Sequence, residues 1–264
     1  MGRYDDGERT AYRLVRKFSD DQMVELSMKV DVWSDIACPW CYIGKRRFEG
    51  ALAQFPHRES VEVTWHSYQL DPSLPEHYDG TELDYLETRK GMPRERVQQM
   101  FDHVTEVAAG EGLAYDFGSV VVANSQRGHE LIHFAAGRGR QDEAKEALLS
   151  AHFEHGEDIG EVETLVRVGE SIGLQGDEIR SALDAGTYTQ AVRDDIADAR
   201  RYGISGVPFF VIDEKYGVSG AQPSEVFGQV LDQAWRESNP LTMVGSPSAQ
   251  GGDDVACGPD GCAI

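Results

Sequence analysis

Lys29–Ser34 (KVDVWS) alternates apolar and polar positions and runs into Cys-Pro-Trp-Cys, the pattern of a strand entering a turn. From Cys38 to Gln54 the period changes: Phe48, Leu52 and Phe55 recur at helical spacing. Pro39 suits the first turn of that helix, where a missing N–H leaves no bond unmade. Alternation returns at Val61, Val63 and Trp65. The predicted unit is β-α-β, with two cysteines at the head of its helix. The next hundred residues carry helix-type apolar spacing at Pro93–Ala109, Asn124–Ala136, Asp142–His155, Glu161–Ile172, Asp177–Asp184 and Tyr188–Tyr202, separated by Gly or Asn/Asp. Asn124 is the expected N-cap of the second of these. Strand character returns at Pro208–Asp213 and Tyr216–Ser219, and a last helix is predicted over Ser224–Arg236.

The order β-α-β, helices, β-β-α describes a split α/β domain in which neither half of the sheet is complete alone. Residues 29–78 and 188–236 are assigned to this domain, and 79–187 to an all-helical insertion covering one of its faces. Residues 1–28 carry few core-type side chains and are expected to be a flexible extension. Met23 and Met28 are candidate alternative translation starts, which the intact mass of the natively expressed protein would show. The tail 237–264 is rich in Gly, Ser and Pro, holds no Lys or Arg, and is expected to be flexible. No internal repeat is visible.

With 40% hydrophobic and 27% charged residues, the 264-residue chain can bury a core. Its net charge of −21 argues against nucleic acid and anionic membrane surfaces as partners, since both need clustered positive charge. No apolar run has the length of a secretory signal or a membrane span. The chain therefore reads as cytoplasmic, where close cysteine pairs are more often catalytic, redox-sensing or metal-binding than structural. There are four cysteines, in two tight pairs: Cys38/Cys41 and Cys257/Cys262.

The Cys38-Pro39-Trp40-Cys41 segment sits where unpaired N–H groups and the helix dipole favour an anion. Cys38 is therefore expected to have a lowered pKa and to act as nucleophile, with Cys41 one turn away as the resolving thiol. A zinc half-site and a pair of buried thiols are the alternatives. A second element is Gly206-Val207-Pro208-Phe209-Phe210, where a proline opens a strand. A cis Val207–Pro208 bond there would leave the Val207 backbone free to pair with an extended substrate; an ordinary trans proline on an edge strand is the alternative.

SDIACPWCYIGKRRFEGAL together with YGISGVPFFVIDEKYGVSGAQP resembles the DsbA-like thioredoxin superfamily, in particular its FrnE-like cytosolic branch. The similarity spans about residues 29–236. It implies a thioredoxin-like fold with a helical insertion, a protein disulfide reductase or isomerase, Cys38 and Cys41 as the catalytic pair, and Pro208 as the cis-proline facing them. Val207, Pro208, Pro39 and Trp40 are then the candidate substrate-binding residues. Protein or peptide disulfides are the expected partners. No cofactor is expected beyond the redox-active disulfide, with glutathione a candidate reductant. The same superfamily includes kappa-class glutathione transferases and 2-hydroxychromene-2-carboxylate isomerases, which typically have serine where Cys38 stands. A glutathione-dependent isomerase is therefore the alternative enzyme, and a peptide-holding chaperone the alternative without catalysis.

Cys257-Gly258-Pro259-Asp260-Gly261-Cys262 has a turn-forming centre that can bring its sulfurs together. A flexible tail between Trp235 and Cys257 spans roughly 25 Å, against a radius of gyration of about 17 Å for the folded body. The tail can reach the Cys38/Cys41 pair and relay electrons as an auxiliary redox site. An isolated tail disulfide and a four-cysteine zinc site are the alternatives. Asp253, Asp254 and Asp260 should hold the tail thiols protonated. Two further patterns are discounted. His129-Glu130-Leu131-Ile132-His133 matches a zinc-protease motif but lacks a third ligand, so no metal is expected and Leu131, Ile132 and Phe134 should simply pack inward. Gly169-Glu170-Ser171-Ile172-Gly173 ends a helical stretch and lacks the strand-to-helix context of a nucleophile elbow.

Overall fold

Two short strands, β1 (Val15–Arg16) and β2 (Val24–Glu25), pair antiparallel ahead of the main body. They fall where the sequence pattern shows no strand, because two residues are too few for alternation to register. In the computed structural model, the residues described are 27–75 and 78–240 together with these two strands. Cys257 and Cys262, and most of the segment 1–28, lie outside them.

The main sheet has four strands in the order β4-β3-β5-β6. Strand β3 (Met28–Ser34) runs parallel to β4 (Val61–Ser67), in register from Met28↔Val61 to Ser34↔Ser67. On its other side β3 pairs antiparallel with β5 (Phe209–Ile212), which pairs antiparallel with β6 (Tyr216–Ser219). Helix α1 (Pro39–Gln54) joins β3 to β4, and α9 (Ser224–Ser238) follows β6.

Between β4 and β5 lie α2 (Glu82–Thr88), α3 (Arg94–Gly110), α4 (Gln126–Ala136), α5 (Gln141–Phe153), α6 (Val162–Ser171), α7 (Gly176–Asp184) and α8 (Thr189–Arg201). Helix α2 was not anticipated from the apolar pattern. Its seven residues give too few repeats, but it opens on a capping box: the Thr81 Oγ1 accepts from the Asp84 N–H and the Asp84 carboxylate accepts from the Thr81 N–H. Asn124 is not the N-cap of α4, which is Ser125. The Asn124 Oδ1 still accepts from the Gln126 N–H at 2.9 Å, so it shapes the turn one residue earlier than expected.

The period-2 pattern of β3 decides what each sheet face meets. Val30 and Val32, with their register partners Ile212 and Phe210, belong to a core shared with Phe48 of α1 and Phe227 and Leu231 of α9. The rings of Phe48, Phe210 and Phe227 stand 4.6–5.7 Å apart in tilted and edge-on contacts. Trp33 points the other way and packs with Ala199 of α8, Ile204 and Val211. Leu131, Ile132 and Phe134 of α4 are buried in the main core, as are Leu148 and Leu165.

Candidate active site

Strand β3 ends at Ser34 and the chain turns through Asp35–Ala37 into α1. Cys38 is the N-cap, in extended conformation, and Pro39 opens the helix. The Cys41 N–H donates to the Cys38 carbonyl at 3.0 Å, which fixes the two thiols one turn apart. The Val207–Pro208 peptide is cis. The Cys38 thiol donates to the Val207 carbonyl oxygen, with Sγ···O at 3.6 Å. That carbonyl faces Cys38 and is engaged by it, rather than standing free as expected from the sequence. Helix α1 approaches the proline loop at Gly44, where a Cβ would lie 2.8 Å from the Pro208 Cγ. The Tyr115 hydroxyl donates to the Pro39 carbonyl at 2.6 Å, holding the Cys-Pro-Trp-Cys turn from the helical side.

The two thiols titrate as one unit. Cys38 is pushed well up by its hydrogen bond with Cys41, by burial, and by the negative charge of Cys41 and Asp35. Burial also raises Cys41, but the Cys38 thiol, the Lys145 ammonium and the Ser34 hydroxyl outweigh it and bring Cys41 down. The expected lowering of Cys38 is therefore reversed in this closed arrangement. The helix N-terminus is present, yet the charges that raise Cys38 are those of Cys41 and the buried Asp35 carboxylate, while the Lys145 cation bears most on Cys41. Asp35 itself is held ionised against burial by His129, whose Nε2 lies 3.2 Å from its Oδ1, and by the Leu70 N–H at 2.7 Å. Burial holds His129 neutral.

A cavity of about 240 Å³ opens beside the pair. Cys38, Pro39 and Trp40 line it on the thiol side; Leu74, Leu86, Met100, Phe101, Val104 and Phe117 are among the apolar residues of the rest, and Asp35, Asp71, Glu82 and Lys90 also reach it. Cys41 has no exposed surface and is not among the lining residues.

This arrangement of strand, cysteine-headed helix and facing proline loop has a match in sequence: the DSBA-like thioredoxin domain accounts for residues 29–232. The chain belongs to the DsbA-like thioredoxin family. A probable DsbA oxidoreductase from Streptomyces coelicolor is 43% identical and superposes with a TM-score of 0.77, covering 90% of this chain and 99% of its own. YwbO of Bacillus subtilis is 27% identical over 210 residues, 78% of this chain and 96% of its own. The cytosolic disulfide reductase DsbM of Pseudomonas aeruginosa, solved with GSH, shares the fold at 18% identity and a TM-score of 0.56, covering 79% and 99%.

In this DsbA-like chain the zinc-protease-like histidines serve two different carboxylates. His129 meets Asp35, and the His133 Nε2 meets Asp195 at 3.0 Å. Glu130 accepts from Gln126 and Thr189. Among the described residues no cluster of three His, Cys, Asp or Glu could hold a metal, and no helix is long and apolar enough to cross a membrane. Ser171 ends α6, and its hydroxyl donates to the Val168 carbonyl.

Asp35, Lys145 and His152 bear on the site but were not singled out from the sequence. Asp35 lies within three residues of Cys38, so its closeness was available. Lys145 and His152 lie on α5, more than a hundred residues away, and a lone Lys or His on a helix gives no sign that it is buried.

Proposed function

We propose that the chain is a dithiol enzyme that exchanges with disulfides, Cys38 attacking and Cys41 resolving. Access supports this assignment: Cys38 lines the cavity, whereas Cys41 is sealed behind it. When a disulfide R–S–S–R′ reaches Cys38, the Cys38 sulfur bonds to one sulfur and the other leaves as R′SH, taking the Cys38 proton. Cys41, held toward the thiolate by Lys145, then attacks the Cys38 sulfur. A Cys38–Cys41 disulfide forms and RS⁻ leaves. The protein has lost two electrons and the substrate disulfide has gained them. A low-molecular-weight thiol such as glutathione returns the pair to the dithiol form, and no other cofactor enters. A cytoplasmic setting would make reduction or isomerisation of unwanted disulfides the physiological direction. The Val207 carbonyl meets the attacking sulfur, Pro208 follows it in the loop, and Pro39 and Trp40 border the cavity, which suits all four to substrate contact.

Insulin or model-peptide reduction tests the assignment. Cys38→Ala should abolish it, and Cys41→Ser should accumulate a mixed disulfide with the substrate. Full activity in Cys38→Ala would overturn the proposal. Retained client holding without reduction would favour the chaperone, and glutathione-dependent turnover of an aromatic pyruvate-type substrate the isomerase.

A further inference from the structure

The cavity beside Cys38 has features that disulfide exchange by itself does not require. It is about 240 Å³ and lined largely by apolar side chains from α2, α3 and the 113–123 segment. A cavity of about 150 Å³ lined by Leu, Ile and Phe is enough to take up benzene. This one therefore has room for one aromatic ring with a short substituent. Its walls carry the rings of Trp40, Tyr85, Phe101, Phe117 and Phe153, which favour a ring partner in offset or edge-on contact.

His152 of α5 also lines the cavity, is 2% exposed, and its Nδ1 has no hydrogen-bond partner among the described residues. A buried polar atom left unpaired loses its water partners without replacement, so it calls for an explanation. Burial pushes the His152 pKa down to about 4, so the ring is neutral at pH 7 and offers a hydrogen bond rather than a charge. Charged and polar side chains also reach the lining beside the apolar majority, among them Asp35, Asp71, Glu82, Lys90 and Ser125.

We infer that the cavity seats the aromatic half of a small organic disulfide, with a hydroxyl or similar group on that half bonded to the His152 imidazole and its sulfur presented to Cys38. This rests on the dithiol exchange proposed above and names its substrate class. Cys38 forms a disulfide with the aromatic thiol, and the other half leaves as a free thiol with the Cys38 proton. Cys41 then closes the protein disulfide and expels the aromatic thiolate. A single turnover of reduced protein supplies both electrons, so no further reductant is needed.

The test uses the reduced full-length chain in stopped flow with two probes of similar intrinsic reactivity. One is the mixed disulfide of 2-(4-hydroxyphenyl)ethanethiol and 2-mercaptoethanol; the other is bis(2-hydroxyethyl) disulfide. Each rate is divided by that of free glutathione with the same probe. The aromatic probe should be preferred by at least about 10-fold, as expected for burying one ring in an apolar site. Met100→Trp and Leu86→Trp fill the cavity from two different helices, and in whichever variant folds the ratio should fall toward one. His152→Leu should cut the preference for the hydroxylated ring but not for its phenyl analogue. Reaction with neither probe would sink the exchange chemistry itself. Reaction with both but no preference, or a preference that survives in every folded filling variant, would overturn the cavity assignment alone. An equal gain for a peptide disulfide flanked by tyrosine would move the cavity to protein substrates and overturn it as a small-molecule site.

Discussion

Lys145 shows how one side chain ties stability to chemistry. It is 1% exposed, its ammonium stands 5.9 Å from the Trp65 ring centre, and burial brings its pKa down to about 8. A lysine whose folded pKa lies below its unfolded value of 10.5 opposes folding. The penalty is full below pH 8 and fades as pH rises toward 10.5; the shift corresponds to about 3 kcal/mol. Lys145→Met should therefore raise the urea midpoint at pH 7 in the reduced protein. The same change removes the cation that lowers Cys41, so its thiolate becomes scarcer at neutral pH. Each unit of rise costs tenfold in thiolate but returns about threefold in nucleophilicity, a net loss of about threefold in the resolving step. Release of the second thiol in single-turnover quench experiments should slow, and its pH midpoint should move up. A variant that is both more stable and unchanged in that step would show that Lys145 does not act on Cys41. Cys38 carries the opposite lesson. Its role was legible from the Cys-x-x-Cys spacing, but its electrostatics were not, because they depend on its hydrogen bond with Cys41, on burial and on the buried Asp35, and Cys41 in turn depends on Lys145, a hundred residues away in sequence.

At the scale of elements, α1 and the proline loop meet without spare volume at Gly44. Replacing it with alanine gains up to about 1 kcal/mol of helix propensity but drives a methyl against the rigid Pro208 ring, and overpacking of this kind costs about 1–3 kcal/mol. Gly44→Ala should lower stability by about 1 kcal/mol in urea unfolding and slow the first exchange step, since the displaced loop carries the Val207 carbonyl against Cys38. A second joint ties α8 to the sheet. Asp195 accepts from the Ser67 N–H at 2.7 Å and meets His133 and His66, while His66 reaches Asp31 of β3 at 2.8 Å. Burial opposes charge on His66, but the two aspartates outweigh it and raise its pKa to about 9. The folded value lies above the unfolded 6.5, so the stabilisation is complete below pH 6.5 and lost as pH rises through 9, about 3 kcal/mol in all. His66→Gln should flatten the fall of stability between pH 6.5 and 9 in paired urea titrations; an unchanged slope would place the titration elsewhere. These joints mark the limit of what the sequence showed. The strands β3 and β4 and helices α1 and α3 to α9 were legible because each repeats its period, and the four-residue β5 and β6 because of their strand-type residues. Helix α2 was too short for that, and its signal lay in the Thr81–Asp84 cap. The Asp195 joint was invisible because it is a meeting of β3, β4, α4 and α8, which no local pattern records.

The whole chain raises the question of where electrons come from once Cys38 and Cys41 are oxidised. Cys257 and Cys262 form a second pair close in sequence, and roughly 25 Å of chain could carry them from the end of α9. With a net charge of −21 and acidic residues beside both tail cysteines, electrostatics would not draw the tail to the body. Tethering would have to supply the encounter, at an effective concentration of order millimolar. In that exchange a tail thiolate attacks the Cys38–Cys41 disulfide at Cys38, Cys41 leaves as thiolate, and the second tail thiol closes a Cys257–Cys262 disulfide. Two electrons pass from tail to catalytic pair, regenerating the dithiol. If attack goes through an acidic, tethered tail rather than a steered encounter, the rate should be independent of protein concentration and change less than about twofold between low and high salt. Cys41→Ser should trap the intermediate as an internal Cys38–Cys257 or Cys38–Cys262 disulfide, readable by peptide mass mapping after mild oxidation. Absence of both adducts, with the substrate mixed disulfide still forming in the same variant, would remove the tail from the electron path and leave external thiols as the reductant.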